Sequence, residues 1–130
     1  MPSWRELFVC LLMSGCIMQQ EDAENPDEDA PRTLAERACP EDSFVTYEDF
    51  GSPFMSTWCT GCHASDMPEG MRQEAPLGID FDNLEAIRAR ADRIWLRAAD
   101  HNITMPPLGG PDEEERTLLG EWLACGAPSL

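Results

Sequence analysis

Hydrophobic and polar positions divide the chain into a short apolar start, an acidic stretch and three amphipathic segments. The apolar run Leu7-Phe-Val-Cys-Leu-Leu-Met13 is too short to cross a bilayer, which takes about 20 apolar residues. From Glu21 to Pro31 there are six acids, two prolines and no large apolar residue. Such a composition cannot bury enough surface to offset chain entropy, so residues 16–38 are expected to form a disordered, charge-extended tether. Helical periodicity then begins. Between about Thr46 and Trp58, Tyr47, Phe50, Phe54 and Trp58 fall at helical spacing, with Gly51 and Pro53 making the segment irregular. Between about 83 and 100, Leu84, Ile87, Ala91, Ile94, Trp95 and Ala98 form a stripe, and Arg88, Arg90, Arg93 and Arg97 take the other faces. Asp82 and Glu85 make an N-cap and N3 pair for this helix, which would be roughly 27 Å long. A last helix begins near Pro111, places Asp112-Glu-Glu-Glu115 where the dipole favours acids, buries Leu118, Leu119, Trp122 and Leu123, and ends at Gly126. Strand-like alternation is absent, so the expected fold class is mostly α.

Composition narrows the function classes. The 130 residues allow one domain, expected over 39–130, and exclude a two-domain enzyme with separate cofactor and substrate halves. Twenty-five acidic residues face nine basic ones, all arginine, for a net charge of −16. Nucleic acid is therefore excluded as a partner, because phosphate binding needs clustered cations, and electrostatic docking on anionic lipid is disfavoured. Aromatic residues make up only 8% of the chain. A core this small needs a covalent staple or a large apolar cofactor. The six cysteines are the excess that calls for explanation.

Cys59-Thr-Gly-Cys62-His63 has the spacing of a c-type haem attachment site. Two thiols three residues apart can reach both vinyl groups on one edge of the macrocycle, and the next residue can ligate iron through an imidazole nitrogen. The rival readings lack support: a thioredoxin-like site wants a βαβ unit, a structural zinc site wants a second ligand pair, and a plain disulfide framework leaves the histidine unexplained. Met105, 42 residues after His63 in Thr104-Met105-Pro106-Pro107, is the expected sixth ligand. A thioether favours Fe(II), and the proline pair stiffens the backbone that carries it. His101, the only other histidine, is the competitor; its other reading is a cation at a helix C-terminus. Met67 and Met71 follow His63 too closely to reach the opposite face, and are expected to pack at the cofactor edge.

The start of the chain fits export. Arg5, the apolar run and Ser14-Gly15-Cys16 follow the order of a signal peptide over residues 1–15, and the Met-Ser-Gly-Cys end resembles a bacterial lipobox. Cys16 would then be acylated and anchor the protein on the periplasmic side of a membrane. Ile17 in place of Asp points to the outer membrane. With Cys10 in the signal, Cys16 lipidated and Cys59 and Cys62 on haem, Cys39 and Cys125 are left to pair as a disulfide in an oxidising compartment.

From about Cys39 to Ala127 the chain resembles class I cytochrome c domains, and more narrowly the small monohaem cytochromes c of myxobacteria and planctomycetes. The residues that carry the resemblance are Cys59-Thr-Gly-Cys62-His63, Met105-Pro-Pro107, and the ending Leu119-x-x-Trp122-x-x-x-Gly126-Ala-Pro128. It implies a small helical domain wrapped around one covalently attached haem c, with N- and C-terminal helices crossing beside the haem edge. Phe54 and Trp122 would meet at that crossing. It also implies that the Pro76 carbonyl accepts the second N–H of His63, which would orient the ring. The expected function is single-electron transfer between redox partner proteins, without catalysis. The other readings are a haem-based ligand sensor, in which a gas displaces Met105, and a haem-bearing subunit of a larger membrane redox complex.

Overall fold

A computed structural model of the protein describes residues 30–130. The signal segment, Cys10 and the acylation site expected at Cys16 lie outside the described residues. The folded unit runs from Pro31 to Leu130, so it begins eight residues before the boundary expected at Cys39. The reason is local. Residues Leu34–Glu36 form a single 3₁₀ turn, Leu34 packs on the core, and the Arg37 guanidinium pairs with Asp100 at 3.2 Å.

Regular structure among the described residues is entirely helical, in agreement with a mostly α fold. A wide π-type turn, Tyr47–Gly51, leads directly into helix α1, Ser52–Trp58. Thr46 caps it through its hydroxyl, which accepts from the Asp49 N–H. The irregularity expected from Gly51 and Pro53 thus takes the form of one expanded turn. It has a packing cause: a Cβ on Gly51 would run into the Trp122 indole, so the backbone approaches that ring more closely than any other residue permits.

The helix expected over 83–100 is two helices, α2 (Leu84–Ala89) and α3 (Ala91–Ala98), broken at Arg90. Arg90 leaves helical geometry at φ −124°, ψ 16°. The N-cap of α2 is Asn83, whose side chain accepts from the Ala86 N–H. Asp82 is not the cap because its carboxylate is engaged with Ser65 across the loop. Helix α4, Glu113–Ala124, starts at a full capping box between Asp112 and Glu115. It ends where Gly126, at φ 83°, lets the Ala127 and Gly126 amides donate back to Trp122 and Leu123. Leu118 is only half-buried; Leu119, Trp122 and Leu123 face the core.

That core gathers Phe54 and Met55 of α1, Ile87 of α2, Ile94 and Trp95 of α3, and Leu119, Trp122 and Leu123 of α4. Each such side chain contributes about 1.5–3 kcal/mol when taken fully from water. Where the first helical segment meets α4, Tyr47 stacks on Trp122 at 6.2 Å and Phe50 meets it edge-on at 6.4 Å. Tyr47 and Phe50, rather than Phe54, are therefore the aromatic partners of Trp122; Phe54 packs against Phe50 at 5.3 Å. The chain end closes the same corner, with the Pro128 carbonyl accepting from both the Tyr47 amide and the Trp122 indole N–H.

Cys39 and Cys125 form a disulfide, Cα–Cα 4.9 Å, closing a loop of 86 residues. In the chain-entropy model a crosslink of that span is worth up to about 4–5 kcal/mol, acting mainly on the unfolded chain. Cys39→Ser combined with Cys125→Ser is therefore expected to lower the unfolding free energy from urea titration by several kcal/mol while leaving the far-UV circular dichroism spectrum of the folded protein unchanged. A loss below about 1 kcal/mol would show that the unfolded chain is not constrained by this loop.

Candidate cofactor site

The segment that carries the cysteine motif continues the winding of α1. The amides of Cys59 and Thr60 donate to the Met55 carbonyl, and those of Cys62 and His63 to the Cys59 carbonyl. This turn brings Cys59, Cys62 and His63 to one wall of a cavity of about 410 Å³. Phe54, Trp58, Ile79, Phe81, Ile94 and Ala98 make much of the remaining lining. Met105, with Pro106 and Pro107, lines the same cavity.

His63 is fixed by three neighbours. Its Nδ1 lies 2.7 Å from the Ile79 carbonyl, its ring is 4.9 Å from that of Phe81, and its own carbonyl accepts from the Phe81 amide. A carbonyl can only accept, so Nδ1 carries a proton and donates it to Ile79. The orienting acceptor is thus Ile79 and not Pro76. Arg72 Nη2 donates to the carbonyls of both, Pro76 at 3.0 Å and Ile79 at 3.1 Å, and after the turn at Gly78, φ 76°, it is the Ile79 oxygen that reaches the imidazole. Pro76 itself lines the cavity.

A clasp holds the loop that follows. Asp82 accepts from the Ser65 hydroxyl at 2.6 Å and the Ser65 amide at 2.9 Å, and these bonds hold its carboxyl below its ordinary value of 3.8. A carboxyl with a depressed folded pKa stabilises the fold fully above its unfolded value and loses that contribution as pH falls through the folded one. The clasp is therefore complete at neutral pH and opens only below about pH 4. The protection factor of the Ser65 amide, its exchange rate relative to the intrinsic rate at each pH, is expected to fall over that acid range, and Asp82→Asn should remove this change of protection.

Burial in the apolar wall pushes the Cys59 thiol up to about 12. Thiolate chemistry of the disulfide-exchange or zinc-binding kind needs the opposite shift. Cys59 and Cys62 are both free thiols. Among the described residues, no group of three or more His, Cys, Asp and Glu comes together to hold a bare metal ion.

Met105 is placed by its backbone. Its amide donates to the Arg97 carbonyl at 2.8 Å, and its own carbonyl accepts from Arg116 Nη1 at 3.0 Å. Its side chain is 39% exposed. His101 is exposed, sits edge-on to Trp95 at 5.7 Å and lines a different, polar depression. Of the two ligand candidates, only Met105 shares the cavity with His63. Met67 and Met71 do not line it either: Met67 borders a separate shallow surface and Met71 is exposed.

The apolar stripe places three arginines away from the core, yet the structure brings them to the cavity. Arg90, Arg93 and Arg97 line it together with Ile94 and Ala98, since these positions recur every three or four residues on one side of the chain. In a chain of net charge −16, this is a local concentration of positive charge beside an apolar hollow. Buried Arg72 and Arg116 were also missed. Compared with known proteins, the chain matches no family model, no curated protein and no solved structure.

Proposed function

We propose that the protein is an extracytoplasmic c-type cytochrome that carries single electrons on one covalently attached haem. The observation that carries this reading is the convergence of Cys59, Cys62, His63 and Met105 on one apolar cavity. The donor set suits the group: two thiols at vinyl spacing, an imidazole whose Nε2 is left free, and a thioether. The macrocycle supplies the remaining iron ligands, so no cluster of three protein donors is required. The apolar walls suit the flat body of a porphyrin, and Arg90, Arg93 and Arg97 suit its two carboxylates.

When bound, the haem supplies a one-electron iron couple. The chain's own residues do the rest. Cys59 and Cys62 would anchor the group, and His63, held by the Ile79 carbonyl, would present a neutral imidazole. Met105 would be the second protein ligand to the iron, disfavour gas binding and raise the potential. Phe54, Trp58, Phe81 and Ile94 would keep water from the iron. Met105 in the cavity favours a carrier over a ligand sensor. Cys16 would tether the domain to the membrane, the outer membrane being favoured by Ile17 at the next position.

The test is expression of the full chain in an exporting host with c-type maturation, followed by a pyridine haemochrome spectrum. Two thioether links are expected, falling to one in Cys59→Ser or Cys62→Ser. An exported, folded chain with no covalently held haem would overturn the proposal. Fatty-acid labelling that marks the wild type but not Cys16→Ser tests the anchor independently.

A further inference from the structure

The least expected feature of the loop between His63 and α2 is a buried cation. Arg72 is 1% exposed, and its guanidinium donates to the carbonyls of Ala64 at 2.6 Å, Ala75 at 3.2 Å, Pro76 at 3.0 Å and Ile79 at 3.1 Å. It also pairs with Asp80 at 2.6 Å. The Ile79 carbonyl is the one that accepts from His63 Nδ1 at 2.7 Å. One oxygen therefore serves both the imidazole and a buried guanidinium.

We propose that Arg72 is a positioning residue that sets the iron's reduction potential by sharing the Ile79 carbonyl with His63; this rests on the haem reading above. A carbonyl oxygen has two lone pairs and can accept both donors. A cation on one of them draws electron density from the oxygen and weakens it as an acceptor for the other. His63 Nδ1–H then gives up less charge to its partner, the imidazole is a poorer electron donor at Nε2, and Fe(III) is less stabilised than Fe(II). The charge of Arg72 acts in the same direction through space, and burial makes it count for more than it would in water. Asp80 opposes both effects, because its carboxylate draws the guanidinium away from the carbonyl and offsets its charge. A purely structural arginine would tie the same loop together without changing the electronics of His63. The two roles can be separated by measurement.

The experiment uses the full-length haem-loaded protein, titrated against a reference electrode, with the His63 Nδ1–H resonance read in the reduced, diamagnetic state. Arg72→Gln removes the cation and is expected to lower the reduced-to-oxidised ratio at fixed ambient potential by about tenfold, which is about 59 mV for a one-electron couple. The Nδ1–H resonance should move downfield as its hydrogen bond strengthens. Asp80→Asn keeps the arginine and removes its opponent, so both readouts should move the other way. It also decides the question if Arg72→Gln fails to fold. Arg72→Lys should restore part of the potential through its charge but not the resonance, because an ammonium cannot span the same carbonyls. A haem-loaded Asp80→Asn or Arg72→Gln protein with wild-type potential and an unmoved resonance overturns this inference alone. A wild-type chain without covalent haem overturns the functional reading, and this inference with it.

Discussion

Met105→Ala in the haem-loaded protein is expected to abolish the weak near-red sulfur-to-iron band of the oxidised form and to let carbon monoxide bind the reduced form. The potential should fall by on the order of 0.1 V or more, within the span of about 0.8 V that axial ligands command. The physical reason is that a thioether is neutral and soft, so its loss removes a preference for Fe(II). Fold stability should also fall, because the sulfur-to-iron bond that ties the loop to the cofactor is lost, while the Met105 backbone keeps its bonds to Arg97 and Arg116. His101→Ala is the control. His101 lies against Trp95 away from the cavity, so the spectrum should not change. If His101→Ala removes the low-spin spectrum while Met105→Ala does nothing, ligation is bis-histidine and the placement of Met105 has no ligand role. If neither change matters, the iron is five-coordinate and the ligand-sensor reading replaces the carrier.

How far these residues were legible in the sequence differs by kind. The helices were readable because apolar stripes and end signals agree. Gly126 ends α4 as expected, its start falls two residues after Pro111 because Asp112 caps it instead of joining its first turn, and the Gly51–Pro53 irregularity marks a real departure from α geometry. The cysteine pairing followed from elimination, and a 4.9 Å Cα separation meets it. What failed was competition between similar local groups. Asp82 and Asn83 are adjacent and both are good caps; the choice was made by Ser65, 17 residues away, which claims Asp82. Pro76 and Ile79 are three residues apart and Arg72 donates to both carbonyls, so only the path of the chain through the turn at Gly78 separates them, and it puts the Ile79 oxygen at the imidazole. Neither outcome has a local signature. Residues 31–38 were assigned to a tether on composition, yet Leu34 and Arg37 find partners on the core that composition cannot display.

The buried arginines expose a more general limit. In an acidic chain each arginine reads as a solvated surface charge, and Arg116 follows three glutamates, which strengthens that impression. One clue was available: Arg116 sits three residues before Leu119 and seven before Leu123, on the apolar stripe of α4. An arginine at a core-facing position needs acceptors for five donors, and loop carbonyls supply them, alone for Arg116 and together with Asp80 for Arg72. Arg72 and Arg116 answer the same need at opposite ends of the site. One gathers the carbonyls of the loop that steadies His63, the other those of the loop that carries Met105.

Arg116→Met is therefore expected to be among the most damaging single changes, costing about 3–5 kcal/mol. Arg116 is 6% exposed and donates to the carbonyls of Pro111, Ala98, Asn102 and Met105 at 2.8–3.2 Å. A methionine fills much of the space but leaves the Pro111 and Ala98 carbonyls buried without a donor, and each such group costs about 1–3 kcal/mol. The part-buried Asn102 and Met105 carbonyls lose the donor that ties them together. The loss should appear as a lower urea midpoint with an unchanged slope. It should also appear at the iron, since the Met105 loop is freed on one side: the sulfur-to-iron band should weaken and carbon monoxide should bind part of the reduced protein, with His63 ligation intact. Arg116→Lys should recover some stability but not the band, because one ammonium cannot hold the Ala98, Asn102 and Met105 carbonyls in a fixed array. A midpoint within about 1 kcal/mol of wild type in Arg116→Met would mean that these carbonyls find other donors. A lowered midpoint with an undisturbed band would mean that the Met105 loop holds its shape through the Arg97 carbonyl alone.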